Sequence, residues 1–169
     1  MHKHKREFII LIALTISCVL SIIAYGTYRC RNAWFKDPLT QSPVGDLHFL
    51  HPFLDGWACL HFWFFAFLTY LCPHLWGLII FIGIIWELIE MLFKERPFYL
   101  LECNIELSDK KDGWWYGRWQ DLISNSLGMI LGYYLYKIQS GSITFFIGML
   151  IAILSTYFGF AVIQARTAI

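Results

Sequence analysis

Five apolar stretches, each of about 16 to 20 residues, occupy most of this sequence and limit what it can fold into. A helix needs about 20 apolar residues to cross the hydrocarbon core of a bilayer, and somewhat fewer where neighbouring helices shield its end. With 58% hydrophobic and 15% charged residues, the 169-residue chain is more apolar than a soluble domain of this size. We therefore predict an all-α polytopic membrane protein, a single domain over residues 1–169 with transmembrane helices at about 8–25, 57–72, 75–93, 119–138 and 143–162.

The few basic residues of the sequence bear on its N-terminus, its orientation and its partners. Lys3, Lys5 and Arg6 precede the first apolar stretch, a pattern shared by signal peptides and membrane anchors. Because no small-x-small cleavage site follows and the stretch is long enough to span, we expect a retained anchor. The basic start favours a cytoplasmic N-terminus, but the larger number of Lys and Arg in the connectors favours the opposite, so orientation stays open. A net charge of +1 provides no basic field for nucleic acid.

Polar side chains in or beside the apolar stretches gather toward one side of the predicted membrane. If five spans alternate in direction, the two polar connectors, residues 26–56 and 94–118, must lie on the same side. The acidic, histidine and amide residues lie at the ends of spans that adjoin these connectors, or in the connectors themselves. We expect one interfacial pocket to collect His61 from the second span, Glu87 and Glu90 from the third, Asp121 and Asn125 from the fourth, and Asp55 and Glu102 from the connectors.

The acidic residues of this pocket have no obvious cation. Glu87 and Glu90 are three residues apart, and Asp121 and Asn125 four, so each pair shares one helix face. Charged groups at membrane depth are costly unless they are paired, and they mark functional sites. The carboxylates should hold protons or recruit a cation, and carboxylate and amide oxygens suit Ca²⁺, Mg²⁺ or Mn²⁺. The alternative is an interfacial ion pair with a basic residue that folds back: Lys94, Arg96 or Arg118.

His61 and a pair of glycines complete the pattern. A lone histidine on an apolar helix is commonly a hydrogen-bonded packing residue. Beside carboxylates and a metal, however, an imidazole that exchanges protons near neutral pH can act as a general base. On the fourth span, Gly128 and Gly132 form a GxxxG pattern, which indicates close packing against another helix.

An ordered series of motifs across residues 50–135 resembles the base-exchange phosphatidylserine synthases of eukaryotes. Asp55, followed six residues later by His61-Phe62, looks like the D…HF element of that family. The series continues with Trp86-Glu87-Leu88-Ile89-Glu90, Leu101-Glu102-Cys103, Trp114-Trp115 and Asp121 through Asn125 to Gly128. The D-x-x-x-N…G pattern is also similar to that of VanZ-like proteins, which suggests a wider superfamily.

Several departures separate this chain from the synthases. A polar insertion of ten residues, Asn104–Gly113, stands where the family's Glu-Cys pair runs almost directly into the Trp-Trp pair, and we expect an exposed turn there. Tyr116 replaces the family's acidic residue, and the gap from Asp121 to Asn125 is one residue shorter, as in VanZ-like proteins. The chain also has about half the spans of those enzymes. These differences bear on substrate choice more than on metal binding.

The resemblance implies a calcium-dependent transferase that exchanges phospholipid head groups. In that chemistry a serine hydroxyl attacks the phosphodiester of phosphatidylcholine or phosphatidylethanolamine, and choline or ethanolamine leaves. The resemblance further implies that His61, oriented by Asp55, is the catalytic base. The expected partners are membrane phospholipid and a small head-group amine such as serine. The expected cofactor is a divalent metal, Ca²⁺ by this resemblance, held by Glu87, Glu90, Glu102, Asp121 and Asn125.

Two other classes of function fit the same residues. A VanZ-like protein without enzymatic activity would bind a lipid or a lipid-linked ligand in the pocket, and lipid retained without turnover would favour it. A structural subunit of a membrane assembly would use the polar residues as a buried ion-pair network, and stable isolation as a monomer would count against it. The sequence leaves open which membrane holds the protein and whether it forms a homo-oligomer.

Overall fold

The computed structural model describes residues 2–31, 37–40, 54–95, 117–139 and 142–167, and these are helical apart from short links. Two 3-10 turns, Pro38–Thr40 and Pro73–Leu75, accompany five α-helices within this part of the chain. The helices are α1 His2–Arg31, α2 Gly56–Leu71, α3 Trp76–Glu95, α4 Trp119–Gln139 and α5 Ile143–Thr167. The all-α prediction is confirmed, and each helix coincides with one predicted apolar stretch, with α1 and α5 extending beyond it.

Local sequence signals set the two ends of α2. The Asp55 side chain caps its start by accepting a hydrogen bond from the backbone N–H of Ala58 at 2.8 Å. At its end, the N–H of Cys72 donates to the carbonyl of Leu68 at 2.8 Å. Pro73 then opens the 3-10 turn at a position where its missing N–H is not needed. The link between α2 and α3 is therefore short.

The contact between α2 and α4 brings backbone against backbone. A Cβ atom added at Gly128 would lie 2.1 Å from the carbonyl oxygen of Phe62, and one at Gly132 would lie 2.1 Å from that of Ala66. The close packing predicted from the GxxxG pattern is confirmed, because only glycine fits at either position. Gly128 meets Phe62 and Gly132, one turn later, meets Ala66, one turn later on α2. The two helices therefore run parallel and begin side by side.

One end of the bundle, which we call the turn end, is marked by Pro73–Leu75. There the Glu7 side chain near the start of α1 meets His74, with Glu7 Oε1 2.9 Å from His74 Nδ1. The ammonium of Lys3 donates to the hydroxyl of Tyr136, near the end of α4, at 3.2 Å. The start of α1 and the ends of α2 and α4 thus lie together.

The opposite end, which we call the connector end, is where α2 and α4 begin and α3 finishes. Buried Asp37 accepts hydrogen bonds there from the Tyr25 hydroxyl of α1 at 2.7 Å and from the Trp57 indole N–H of α2 at 2.9 Å. The same carboxylate accepts from the backbone N–H of Leu39 at 3.0 Å. At the turn end, the Tyr70 hydroxyl of α2 donates to the carbonyl of Ser142, directly before α5, at 3.2 Å. The five helices therefore alternate in direction, as five successive spans would require.

The outer surface of the bundle is strongly apolar. Large side chains point outward along several helices, among them Phe81 at 59% exposure, Ile130 at 66% and Leu154 at 60%. Two segments of the described chain, 3–28 and 73–92, are long and apolar enough to cross a membrane. Of the most apolar 18 residues in each segment, only 6% and 17% are buried. Both helices thus leave most of their apolar surface uncovered by the rest of the described chain.

Candidate metal centre

Three side chains from two helices form the centre of the candidate site, and we call them the His–Glu cluster: His61, Glu87 and Glu90. One ligand atom from each lies within 4.8 Å of the others, and His61 Nδ1 is 3.5 Å from Glu87 Oε1. Glu87 and Glu90 reach the same place because they are one turn apart on α3. His61 lies about 8 Å along α2 from its start, close to the connector end. The structure thus brings three of the predicted site residues together.

Asn125 joins the His–Glu cluster from α4. Its side-chain oxygen is 2.9 Å from His61 Nδ1, and its side-chain nitrogen donates to Glu87 Oε1 at 3.4 Å. The side chain is buried, and the parallel register of α2 and α4 explains why it reaches His61. The amide bridges the imidazole and the carboxylate. We had expected Asn125 as a metal ligand and did not predict this contact.

The second carboxylate oxygen of Glu87 has no hydrogen-bond partner in the part of the chain that the structure describes. Glu87 is only 1% exposed, so water does not reach this oxygen freely. An unsatisfied buried polar group costs about 1–3 kcal/mol, and a charged one more. Such an atom in a native fold calls for an explanation, of which an ion is one. Its place in the His–Glu cluster indicates a site suited to a further partner that carries positive charge.

The donor set of the cluster fits a divalent cation. Carboxylate oxygens are ligands for Ca²⁺, Mg²⁺ and Mn²⁺, while an imidazole nitrogen is more often a ligand of transition metals. Glu87 and Glu90 supply two carboxylates, whereas Ca²⁺ takes about six to eight oxygen ligands, so a calcium ion would need further oxygens. Among the described residues, the group close enough to hold an ion consists of these two and His61.

Arg118 pairs with two carboxylates at the connector end, and we call this arrangement the Arg118 clamp. It donates to Asp55 from Nη1 at 2.5 Å and from Nη2 at 3.1 Å. It donates to Asp121 from Nε at 3.1 Å and from Nη2 at 3.2 Å. Burial by itself lowers the pKa of Arg118, but the hydrogen bonds and charges of Asp55 and Asp121 raise it overall, so the guanidinium stays charged. The clamp ties the start of α2 to the start of α4.

The clamp changes the roles expected for two acids. Asp55 was expected to orient His61, but its carboxylate caps α2 and binds Arg118, and the described contacts of His61 Nδ1 are with Asn125 and Glu87. Asp121 was expected among the metal ligands, but both of its oxygens accept from Arg118. The alternative of an interfacial ion pair is realised for Asp121, because Arg118 directly precedes α4 and lies within reach of both helix starts.

Gly117 allows Arg118 to take this position. A Cβ atom added there would lie 2.7 Å from the carbonyl oxygen of Glu87 and 2.8 Å from the backbone nitrogen of Met91. The chain therefore passes directly against the last turns of α3 before α4 begins. Sequence reasoning did not single out this glycine, although a Gly directly before the Arg that opens α4 was a usable signal.

A buried acid at the turn end was also missed. Glu7 is 2% exposed and accepts from the backbone N–H of His74 at 3.3 Å as well as contacting its ring. The signal was available, since Glu7 immediately precedes an apolar stretch and alternating spans put it at the same end as His74. A carboxylate at that depth needs a partner, and His74 is that partner.

Some expected site features lie outside the described residues. These are Glu102, the polar insertion 104–113 and Arg96; for Lys94 the helix is described but not the side chain.

Comparison with known proteins adds no relative. The chain matches no family model, no curated protein and no solved structure. The likeness to the base-exchange synthases therefore stands on its motifs.

Proposed function

We propose that this chain is an integral membrane protein of five spans that exchanges phospholipid head groups with the aid of a divalent metal. The apolar outer surface and the alternating direction of the five helices support the first part. The ordered motifs support the second. The observation that carries the proposal is the buried Glu87 oxygen in the His–Glu cluster, which has no hydrogen-bond partner among the described residues.

The position of the cluster suits a lipid substrate. His61 lies about 8 Å from the start of α2, and Glu87 and Glu90 occupy the last turns of α3. In a bilayer this depth corresponds to the boundary between head groups and hydrocarbon, whose apolar core is about 30 Å thick. A lipid phosphate can reach such a site while its acyl chains stay in the membrane.

Charge supports a cation rather than a bare acidic pocket. The Arg118 clamp accounts for Asp55 and Asp121, whereas the basic side chain beside Glu87 among the described residues is His61, 3.5 Å away. Glu87 and Glu90 would hold the divalent ion together with ligands from elsewhere, because His61 serves as the base. When bound, such an ion supplies positive charge that stabilises negative charge building on a phosphate.

The proposed reaction balances without a redox partner. The serine hydroxyl oxygen forms a bond to phosphorus, the bond from phosphorus to the choline oxygen breaks, and the lipid keeps its phosphate. His61 takes the hydroxyl proton and returns it to the departing choline oxygen. The Arg118 clamp contributes indirectly, because it holds the helix starts that carry His61 and Asn125 in register.

The test uses the full chain, purified and reconstituted in phosphatidylcholine vesicles with radiolabelled serine. We expect label in lipid and an equal release of choline when Ca²⁺ or Mn²⁺ is present, and neither after chelation. His61→Gln should lower the rate by roughly 10²- to 10⁴-fold, the usual contribution of a general base. His4→Gln, an exposed histidine at the turn end, is the matched control and should behave as the parent. Absence of exchange with either metal, in phosphatidylcholine and in phosphatidylethanolamine vesicles, would reject the proposal.

A non-catalytic binder of lipid or lipid-linked ligand is the second candidate, and an apolar groove favours it. The groove has a volume of about 340 Å³ and is lined by residues of α2, α4 and α5, including Trp63, Leu135 and Met149. Lipid that co-purifies in fixed ratio and does not turn over in the serine assay would select this candidate over the transferase.

A further inference from the structure

We propose that Asn125 is a positioning residue that fixes the neutral tautomer of His61, with its proton on Nδ1 and its lone pair on Nε2. The inference deepens the proposed function and rests on it where it concerns catalysis, but the tautomer itself can be measured without any activity. It also gives Asn125 a role other than that of a metal ligand.

The direction of the Asn125 amide follows from its two neighbours. The side-chain nitrogen of Asn125 faces Glu87 Oε1 at 3.4 Å and donates to it. The side-chain oxygen of Asn125 then faces His61 Nδ1 at 2.9 Å. The reverse amide orientation would set two acceptor oxygens against each other.

An acceptor at Asn125 decides which ring nitrogen carries the proton. Because the amide oxygen can only accept, His61 Nδ1 must donate to it. The other group near Nδ1 is Glu87 Oε1 at 3.5 Å, which is also an acceptor but too far for a good hydrogen bond. A neutral imidazole held in this way presents the lone pair of Nε2, the atom that can accept the proton of an attacking hydroxyl.

The same contacts make Asn125 less available to hold a cation directly. Its oxygen is directed at the His61 ring, and an amide nitrogen is a donor with no lone pair to offer. Hydrogen bonds that set the tautomer and orientation of a functional histidine are a recurrent feature of active sites. Asn125 acts through His61 and Glu87 rather than on the substrate.

The experiment records ¹⁵N spectra of the full chain, labelled at histidine and held in lipid nanodiscs, at a pH where the imidazole is neutral. The His61 signals are identified by their loss in His61→Gln. We expect the parent to show the proton on Nδ1. Asn125→Asp, which keeps an acceptor of the same size, should retain this tautomer, and Asn125→Leu should shift the population toward Nε2–H. Ser126→Ala is the matched control, because Ser126 is exposed and its hydroxyl bonds only within α4, to Leu122 at 2.7 Å.

Kinetics provide the second readout. Asn125→Leu should lower kcat of serine exchange by roughly tenfold or more, up to the roughly 10²- to 10⁴-fold that a positioned base contributes, with little change in KM for serine. A neutral parent ring protonated on Nε2 overturns the inference, as does an unchanged tautomer in folded Asn125→Leu. If Asn125→Leu does not insert, the parent spectrum alone still decides. If no sample exchanges head groups while the spectra show the expected tautomers, the proposed function is rejected and the positioning role stands.

Discussion

Replacing Arg118 with methionine should destabilise the fold more than any surface charge substitution. Asp55 is 1% exposed and Asp121 2%, and Arg118 itself is 15% exposed, so the clamp is largely removed from solvent. Arg118→Met leaves two buried carboxylates without their cation while keeping much of the apolar stem. Removing one partner of a buried ion pair costs about 3–5 kcal/mol. We expect a loss in that range, equivalent to a fall of more than roughly 100-fold in the folding constant.

The measurement is equilibrium unfolding of the full chain in mixed micelles, titrated with a denaturing detergent and followed by tryptophan fluorescence. Lys5→Met is the matched control, because Lys5 is exposed near the start of α1 and should change the unfolding free energy by less than about 0.5 kcal/mol. Asp121→Asn in the Arg118→Met background should recover part of the loss, since it removes one of the two uncompensated charges.

The size of the loss decides whether the clamp is structural. A cost below about 1 kcal/mol is what an exposed ion pair contributes, and it would contradict the burial on which the reasoning depends. Additive effects of Arg118→Met and Asp121→Asn would also refute it, because contacting residues of one network should couple.

Three further predictions concern the metal, the helix contact and the polar insertion. Ca²⁺ or Mn²⁺ at about 100 times its Kd should stabilise the parent by about 2.7 kcal/mol in thermal unfolding. Glu87→Gln or Glu90→Gln should abolish this gain. A melting temperature that does not respond to Ca²⁺, Mg²⁺ or Mn²⁺ would reject the metal site. Gly128→Ala should destabilise by at least about 1–3 kcal/mol, since its Cβ meets the Phe62 carbonyl at 2.1 Å, whereas Gly148→Ala, with nothing within 4 Å, should be near neutral in the same detergent titration. Deleting residues 104–113 should leave insertion and unfolding unchanged, and a misfolded deletion variant would show that the segment belongs to the core.

Apolar run length determined the helices of this protein. Each predicted span became a helix, with closely similar limits for α2, α3 and α4 and longer ones for α1 and α5. A long apolar run beside a polar link has few other ways to satisfy its backbone. The alternation of spans and the one-turn spacing of Glu87 and Glu90 likewise predicted that acids from α3 would meet His61 of α2. These are local or counting arguments, and they hold whatever the packing angles are.

Only the tertiary structure decided how the polar groups divide among themselves. Spacing along the chain shows that Arg118, Asp55 and Asp121 lie at one end of the bundle, but not which carboxylate receives the guanidinium. That choice depends on the register of α2 against α4, set where Gly128 and Gly132 press on the α2 backbone. The register sends Asn125 toward His61 and Arg118 toward both Asp side chains, so one Glu87 oxygen is left without a hydrogen-bond partner among the described residues. Hydrogen bonds and ion pairs require atoms within about 3 Å, and only packed backbones position side chains that closely.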